Sequence, residues 1–351
     1  MTTTLDRRRQ TAYFAYSLRQ LPSAYGKLDT NRLTLVHFAV HALDLLGVWD
    51  SEEQQSTLNL HKTEIIDWIY SLQLMQCKES GGFVGGNFLG GSCQNGTTPA
   101  NYSHGHIAMM YTALCTLRTL GDDWSRLDRN SVLQELSRLQ LPDGSFACVQ
   151  AGSEHDLRFL YCACAVSHML NDWSGVNKEQ AVEYVKACRS FDGALALLPG
   201  QEGHGGSTFC GVASLVLMNK LDTVLDPEWR KDLVRWCVHR QVGGMQGRPN
   251  KDEDTCYSYW IGGTLRLLGE DGLLQHEPLR AFVMNCQTSM GGFSKVSGVY
   301  PDLLHSYYSL SYLSLSQGYF EDDDEPIGLK DLNCTLGIGK ERAALFQPLF
   351  P

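Results

Sequence analysis

The sequence predicts an all-α fold of stacked helical hairpins, and three observations carry that prediction. First, one composite unit recurs: a helix-forming stretch, a glycine-containing turn, and a polar residue that opens a second apolar run. Second, the openers His104, Asp156, His204, Asp254 and His305 are separated by 52, 48, 50 and 51 positions. Such a period marks a unit that buries its apolar face only by stacking on copies of itself. Third, the turns carry too little period-two alternation for propeller blades, which excludes an all-β reading.

Taken in order, residues 5–20 and 31–47 carry helical apolar spacing, the second with Leu33, Val36, Val40 and Leu43 on one side and Gly47 as a stop. They form an opening helical pair. The repeat proper runs over about residues 60–317. It begins with the helix pattern at 64–73, then Gly81-Gly82-Phe83, a glycine-rich stretch to residue 96, and His104-Gly105-His106. It returns as Leu139-Gln140 with Gly144-Ser145-Phe146 and then Asp156, and as Phe191-Asp192-Gly193 followed by His204. Gln241 with Gly243-Gly244-Met245 leads to Asp254, and Gln287 with Gly291-Gly292-Phe293 leads to His305. The glycines permit positive φ and close backbone approach, and the aromatics beside them are expected to plug neighbouring hairpins. Past residue 317 the pattern stops: residues 318–351 read as a solvated acidic segment at 321–325 and a tail without a legible role. The whole chain, 1–351, is read as one domain.

Length alone would allow two or three domains, but the repeat overrides that prior. The chain is 43% apolar and 19% charged, with no apolar run of the length that spans a bilayer. Arg7, Arg8 and Arg9 precede a stretch without the apolar core of a secretory signal. Twelve cysteines scattered singly read as reduced thiols of a cytoplasmic protein, with Cys162 and Cys164 in the core. A net charge of −10 argues against nucleic acid as a partner.

Chemistry concentrates at residues 247–260, where a charged turn runs into an aromatic helix start carrying an acid and a thiol two positions apart. At a helix mouth Asp254 can cap exposed N–H groups while the dipole favours a thiolate at Cys256, so both can ligate zinc. Read alone, they are an N-cap and a buried cysteine, and it is the repeat that overturns that reading. A zinc site that does chemistry takes three protein ligands and leaves a fourth position open. Because equivalent positions of a stacked repeat share one rim, His305 is the candidate third ligand.

The repeat, with Gly-Arg-Pro-Asn-Lys, Asp-x-Cys-Tyr-Ser-Tyr-Trp, His-Gly-Gly-Ser-Thr-Phe-Cys-Gly and Gly-Gly-Phe, resembles the β subunits of protein prenyltransferases over about residues 10–317. That resemblance implies an α–α barrel of about six helical hairpins with inner and outer helix rings, and an obligate helical α subunit. It implies one zinc per heterodimer on Asp254, Cys256 and His305, holding the thiolate of a substrate cysteine. His204, Arg248, Lys251 and Tyr257 match the family's diphosphate site, and Arg158, Tyr161, Cys210 and Trp260 its lipid wall.

Three positions separate the branches of the family. Thr34 stands where farnesyl enzymes carry a Trp that closes the lipid pocket, and Leu304 where they carry Tyr and the Rab-directed enzyme Phe. Lys295 replaces an Asp of the other branches. All three point to the type I geranylgeranyl branch, which takes geranylgeranyl diphosphate and CaaX proteins such as Rho-type small GTPases; a farnesyl or Rab-directed enzyme is the alternative, and a non-catalytic barrel a more distant one. Leu304 is then expected beside the last residue of the CaaX box, and the Lys295 ammonium to make magnesium unnecessary.

Overall fold

The computed structural model describes residues 4–75, 77, 79–87, 103–150, 153–320 and 327–346. Most of the glycine-rich stretch before residue 96, and the acidic loop at 321–325, lie outside them. Twelve helices form six hairpins: α1 (Arg7–Arg19) with α2 (Arg32–Leu45), and α3 (Lys62–Ser71) with α4 (Ile107–Thr119). Then come α5 (Arg129–Leu139) with α6 (Leu157–Met169), and α7 (Lys178–Ala187) with α8 (Gly205–Leu217). The last pairs are α9 (Pro227–Val238) with α10 (Thr255–Leu268), and α11 (His276–Asn285) with α12 (Leu303–Ser316). The opening helical pair is thus the first hairpin of the ring.

The even-numbered helices are apolar almost all round and buried, as an inner ring demands. Each packs on the next, and α12 packs back on α2, which closes the barrel. The outer helices bury one stripe and begin at side-chain caps, Asp6, Asp128, Asn177 and Asp226 among them. The recurring Gln of the sequence repeat stitches this outer ring. Gln73, Gln140 and Gln241 each accept the backbone N–H at the cap of the following outer helix, and Gln287 accepts that of Asp6, joining the last hairpin to the first.

The structure corrects the register of the repeat. The inner helices α4, α6, α8, α10 and α12 are capped by His106, Asp156, His204, Asp254 and Asp302, a spacing of 50, 48, 50 and 48. His104 and His305 are therefore not the equivalents of Asp254: His104 precedes the cap, and His305 lies in the first turn beyond it. Successive repeats are joined at this rim because the first residue of an inner helix donates its N–H to the next loop, Gly205 to Gly247 O and Thr255 to Lys295 O.

The turn residues behave as plugs, with one exchange of roles. Phe83, Phe146, Met245 and Phe293 are fully buried and bridge back to Gln73, Gln140, Gln241 and Gln287. In the third unit the plug is Leu195, bridged to Arg189, and Phe191 is 96% exposed. Gly193 has φ +90°, so the chain reverses between the two and turns Leu195 inward.

The tail, unreadable in the sequence, folds into the barrel. Strands β1 (Leu332–Asn333) and β2 (Ile338–Gly339) pair antiparallel, and the buried loop between them meets the inner ring. Four tyrosine hydroxyls donate to its consecutive carbonyls: Tyr259 to Cys334 at 3.0 Å, Tyr161 to Thr335 at 2.9 Å, Tyr111 to Leu336 at 2.7 Å, and Tyr307 to Gly337. Each tyrosine stands five residues after the cap of its helix. Arg342 bonds Asp44 and Asp50 at the far end of α2, anchoring the tail there. Ten cysteines are free and buried, Cys162 and Cys164 included. Among the described residues no helix is long and apolar enough to cross a membrane.

Candidate metal and anion site

The site is assembled where α10 and α12 begin. Asp254 caps α10 by accepting the Cys256 N–H at 2.9 Å, and both residues are buried. Asp302 caps α12 by accepting the His305 N–H at 2.9 Å, and its other oxygen lies 2.6 Å from His305 Nδ1. That contact turns Nε2 toward Asp254, 3.2 Å from Oδ1. One ligand atom each from Asp254, Cys256 and His305 lies within 4.8 Å of the others.

This donor set fits zinc. Carboxylate, thiolate and imidazole are its usual ligands, and three of them leave the open fourth position of a catalytic site. A carboxylate on the far nitrogen of a metal-binding His fixes its tautomer, and Asp302 stands in that place. The charge balance agrees. Burial pulls His305 down, but hydrogen bonds to Asp254 and Asp302 outweigh it and lift the imidazole to about 9. Burial, reinforced by the Asp254 charge, pushes the Cys256 thiol well up, so without a cation the thiol keeps its proton. Asp254 is held down despite burial, chiefly by His305.

Cationic and donor groups border this trio. His204 Nε2 lies 3.0 Å from the Tyr257 hydroxyl. Burial and the nearby Arg248 charge lower His204, which leaves it neutral at neutral pH. Gly247 explains the glycine of the charged turn: a Cβ there would lie 2.2 Å from the Tyr257 ring, so only glycine lets the phenol settle beside His204. Arg248 pairs with Glu202 at 2.9 Å, Lys251 is exposed, and Lys295 Nζ is 3.6 Å from Asp254 Oδ2. The Thr255 hydroxyl donates to Ser294 O and its N–H to Lys295 O, and this anchors Lys295 beside the trio.

The remaining expected residues spread over the barrel. Trp260 is partly accessible and packs on Phe209 and Tyr308 at 5.1 and 4.3 Å. Tyr161 and Cys210 are nearly closed off, at 6% and 5% exposure. Arg158 is held at the rim by Asp156 and Glu154, at 2.6 and 2.7 Å. Thr34 is half-buried in the first turn of α2, its hydroxyl 3.7 Å from the Met109 sulfur on α4. Leu304 is 38% exposed beside His305. The sequence reading passed over Asp302, although Asp-x-x-His at a helix start was a usable signal: the cap reaches the third residue of its own helix. It also missed the tyrosines that receive the tail, which only the corrected register reveals.

The sequence matches the family described as the prenyltransferase alpha-alpha toroid domain over residues 5–338, and the chain belongs to that family. Within it, the chain is 39% identical to the geranylgeranyl transferase type-1 subunit beta of Arabidopsis thaliana, over 95% of this chain and 88% of the relative. It is 38% identical to the subunit of the same name from Dictyostelium discoideum, over 90% and 92%. A farnesyltransferase subunit beta from Pyricularia oryzae is 28% identical over 92% of this chain and 66% of that one. The solved structure of Candida albicans protein geranylgeranyltransferase-I complexed with GGPP matches with a TM-score of 0.83 over 98% of each chain; at 24% identity that likeness shows the fold.

Proposed function

We propose that this chain is the catalytic β subunit of a zinc-dependent protein geranylgeranyltransferase of type I. In this reading it works in the cytoplasm with a helical α subunit. It moves the geranylgeranyl group of geranylgeranyl diphosphate to the cysteine of a C-terminal CaaX box ending in Leu, as in Rho-type small GTPases. The observation that carries the reading is the convergence of Asp254, Cys256 and His305 next to His204, Tyr257, Arg248 and Lys295 on one rim. Relatives 38–39% identical that are named for this activity support it.

Asp254, Cys256 and His305 would hold the zinc, which when bound supplies the positive charge that keeps a substrate thiol ionised at neutral pH. In the transfer a sulfur–carbon bond forms at carbon 1 of the lipid while the bond to the diphosphate oxygen breaks. Negative charge grows on that oxygen. His204 and Tyr257 present neutral donors to it, and Arg248, Lys251 and Lys295 present fixed cations that need no reorganisation. Lys295, anchored through the Thr255 contacts, takes the place in which an Asp would recruit magnesium. Thr34, Tyr161, Cys210 and Trp260 form the apolar wall with the stem of Arg158, and Leu304 meets the end of the CaaX box.

The test is a competition on the chain coexpressed with a prenyltransferase α subunit. Geranylgeranyl diphosphate and a box ending in Leu should outcompete farnesyl diphosphate and a box ending in Ser, with one zinc per heterodimer and undiminished turnover when magnesium is removed. Preference for farnesyl diphosphate with Ser boxes would assign the chain to the other branch.

A further inference from the structure

At the rim where the inner helices begin, the barrel is laced by one hydrogen bond per repeat, and the lacing keeps a strict register. The start of an inner helix donates a backbone N–H to the carbonyl two residues past the plug of the next turn: Leu33 to Gly85 at 2.9 Å, Ile107 to Cys148 at 2.9 Å and Leu157 to Leu197 at 3.3 Å. Gly205 and Thr255 do the same toward Gly247 and Lys295. The sixth joint is built differently. There α12 closes the ring onto the first hairpin, whose connection is a 3₁₀ segment, Ser23–Asn31, that holds no buried plug. Leu303, the first residue of α12, donates its N–H to the Tyr25 hydroxyl at 3.0 Å. A phenol on a side chain thus stands where a backbone carbonyl closes each of the other five joints.

This is also the joint that carries a metal donor. The turn begun by Leu303 holds Leu304 and His305, and its cap Asp302 engages His305 Nδ1 at 2.6 Å. Leu303 is 1% exposed, so without the hydroxyl its N–H is left unpaired in a nearly closed setting, a costly state that the turn would relieve by shifting. Such a shift moves His305 Nε2 against Asp254 and Cys256, which sit on another helix and do not follow. Tyr25 is itself held in place. Tyr13 of α1 lies against it and against Ser306, and burial, with the Asp302 charge, holds both phenols above their ordinary value, so that Tyr25 stays a neutral hydroxyl. Gly292 makes room for the pair: a Cβ there would lie 2.9 Å from both the Tyr13 ring and Ser306 Oγ.

We infer that Tyr25 is a positioning residue of the metal site: its hydroxyl completes the last joint of the rim and sets the turn from which His305 reaches Asp254 and Cys256. The inference rests on the proposed function, because it concerns the same three donors. It adds a residue from the opening hairpin, 278 positions before the Leu303 that it holds. Its action runs through the backbone of α12, so it governs metal and peptide and leaves the lipid alone, since Tyr161, Cys210 and Trp260 stand on other inner helices.

The experiment uses the coexpressed heterodimer and measures zinc affinity, the KM of a peptide with a box ending in Leu, geranylgeranyl diphosphate affinity and amide exchange. Tyr25→Phe removes one oxygen and keeps the ring. Zinc affinity should fall about tenfold, the low end of what a metal ligand loses with an outer partner. At saturating zinc the peptide KM should rise about threefold, the scale of one hydrogen bond, while lipid affinity keeps its wild-type value. Exchange should quicken in the first turn of α12 and stay unchanged at the starts of α6 and α8, whose joints end on carbonyls. Leu303→Pro removes the same bond from the donor's side, at a position where proline starts a helix without strain, so the double variant should lose no more zinc affinity than Leu303→Pro alone. If Tyr25→Phe yields no folded heterodimer, Leu303→Pro with the same zinc, peptide and lipid readouts takes its place. Wild-type zinc affinity in the folded variant, losses that add in the double variant, or a lipid affinity that falls in step with zinc overturns the assignment. A wild-type heterodimer that binds no zinc sinks the proposed function instead, so the two failures are told apart.

Discussion

Asp254 and Asp302 occupy the same place in consecutive repeats, each capping an inner helix, yet their side chains serve His305 from opposite sides. Asp254 is buried, accepts the Cys256 N–H, and faces His305 Nε2. Asp302 is 39% exposed, accepts the His305 N–H, and engages Nδ1. The difference lies in what each cap meets next. Three caps on this rim touch the third residue of the following inner helix: His106 meets Phe159, His204 meets Tyr257, and Asp254 meets His305. Stacking fixes that pairing geometrically, and the residue types at the two positions decide whether it becomes a ring contact, a hydrogen bond or a candidate metal site.

The largest expected effect comes from removing a donor that no other group replaces. Cys256→Ala should leave Asp254 and His305 as a two-donor site, abolishing stoichiometric zinc and reducing prenyl transfer by more than the roughly 10–100-fold that loss of a ligand's outer partner costs. Atomic absorption on the purified heterodimer and single-turnover transfer are the readouts. Full zinc content with wild-type turnover would remove Cys256 from the site.

A smaller effect is expected of Asp302→Asn, which keeps a capping side chain but cannot carry the charge that holds Nδ1–H. Loss of such a partner weakens metal binding about 10–100-fold. The pH dependence sharpens the contrast. In the metal-free protein His305 is raised to about 9 and the Cys256 thiol is pushed well up, so both protons compete with the metal, and zinc affinity should climb with pH through about 9, where His305 stops contributing, and on beyond it as the thiol ionises. For folding the sign is opposite: the stability gained from the raised imidazole is fully present below its unfolded value of about 6.5 and is lost as pH rises through about 9. In Asp302→Asn both transitions should move to lower pH, as read by the His305 ring resonance in metal-free protein; an unmoved titration would deny Asp302 its role.

How much of this was legible in the sequence depended on whether a signal was periodic. The hairpins, their order and the five turns could be read because apolar spacing and the glycine turns recur; Asp254 and Cys256 stood out against that background as candidate donors, and His305, chosen as an equivalent of Asp254 that it is not, does converge on them. The repeat register was misread at its two ends, since His104 and His305 resemble openers while the caps are His106 and Asp302; the preference of Asp for a cap could have placed Asp302, whereas only backbone geometry separates His106 from His104. Phe191 was taken for a plug because aromatics fill that role elsewhere, whereas the turn at Gly193 gives it to Leu195. The tail had no signal of its own. Its partners are single tyrosines spread over four helices, each indistinguishable in sequence from a core residue, and their convergence exists only once the ring is closed.

The smallest effect separates the two functions of Asp302 from each other. Its carboxylate satisfies a backbone N–H in the first turn of α12 and also orients the imidazole. Asn at an N-cap is about as favourable as Asp, so Asp302→Asn should lose the orientation and keep the cap, while Asp302→Ala loses both. In zinc-free protein above about pH 9, where His305 is neutral in both variants, the alanine form should be less stable than the asparagine form by about 0.5–2 kcal/mol, the worth of a cap. Zinc affinity should fall by a similar factor in both, because the lost contact to Nδ1 is common to them. Denaturant unfolding of the zinc-free heterodimers, paired with zinc titrations, makes the comparison. Equal stability of the two variants would mean that the α12 cap is dispensable and that Asp302 serves His305 alone; zinc affinity retained in the asparagine form but lost with alanine would mean that a hydrogen bond without charge suffices, and that the resemblance between the Asp254 and Asp302 caps reaches no further than the backbone.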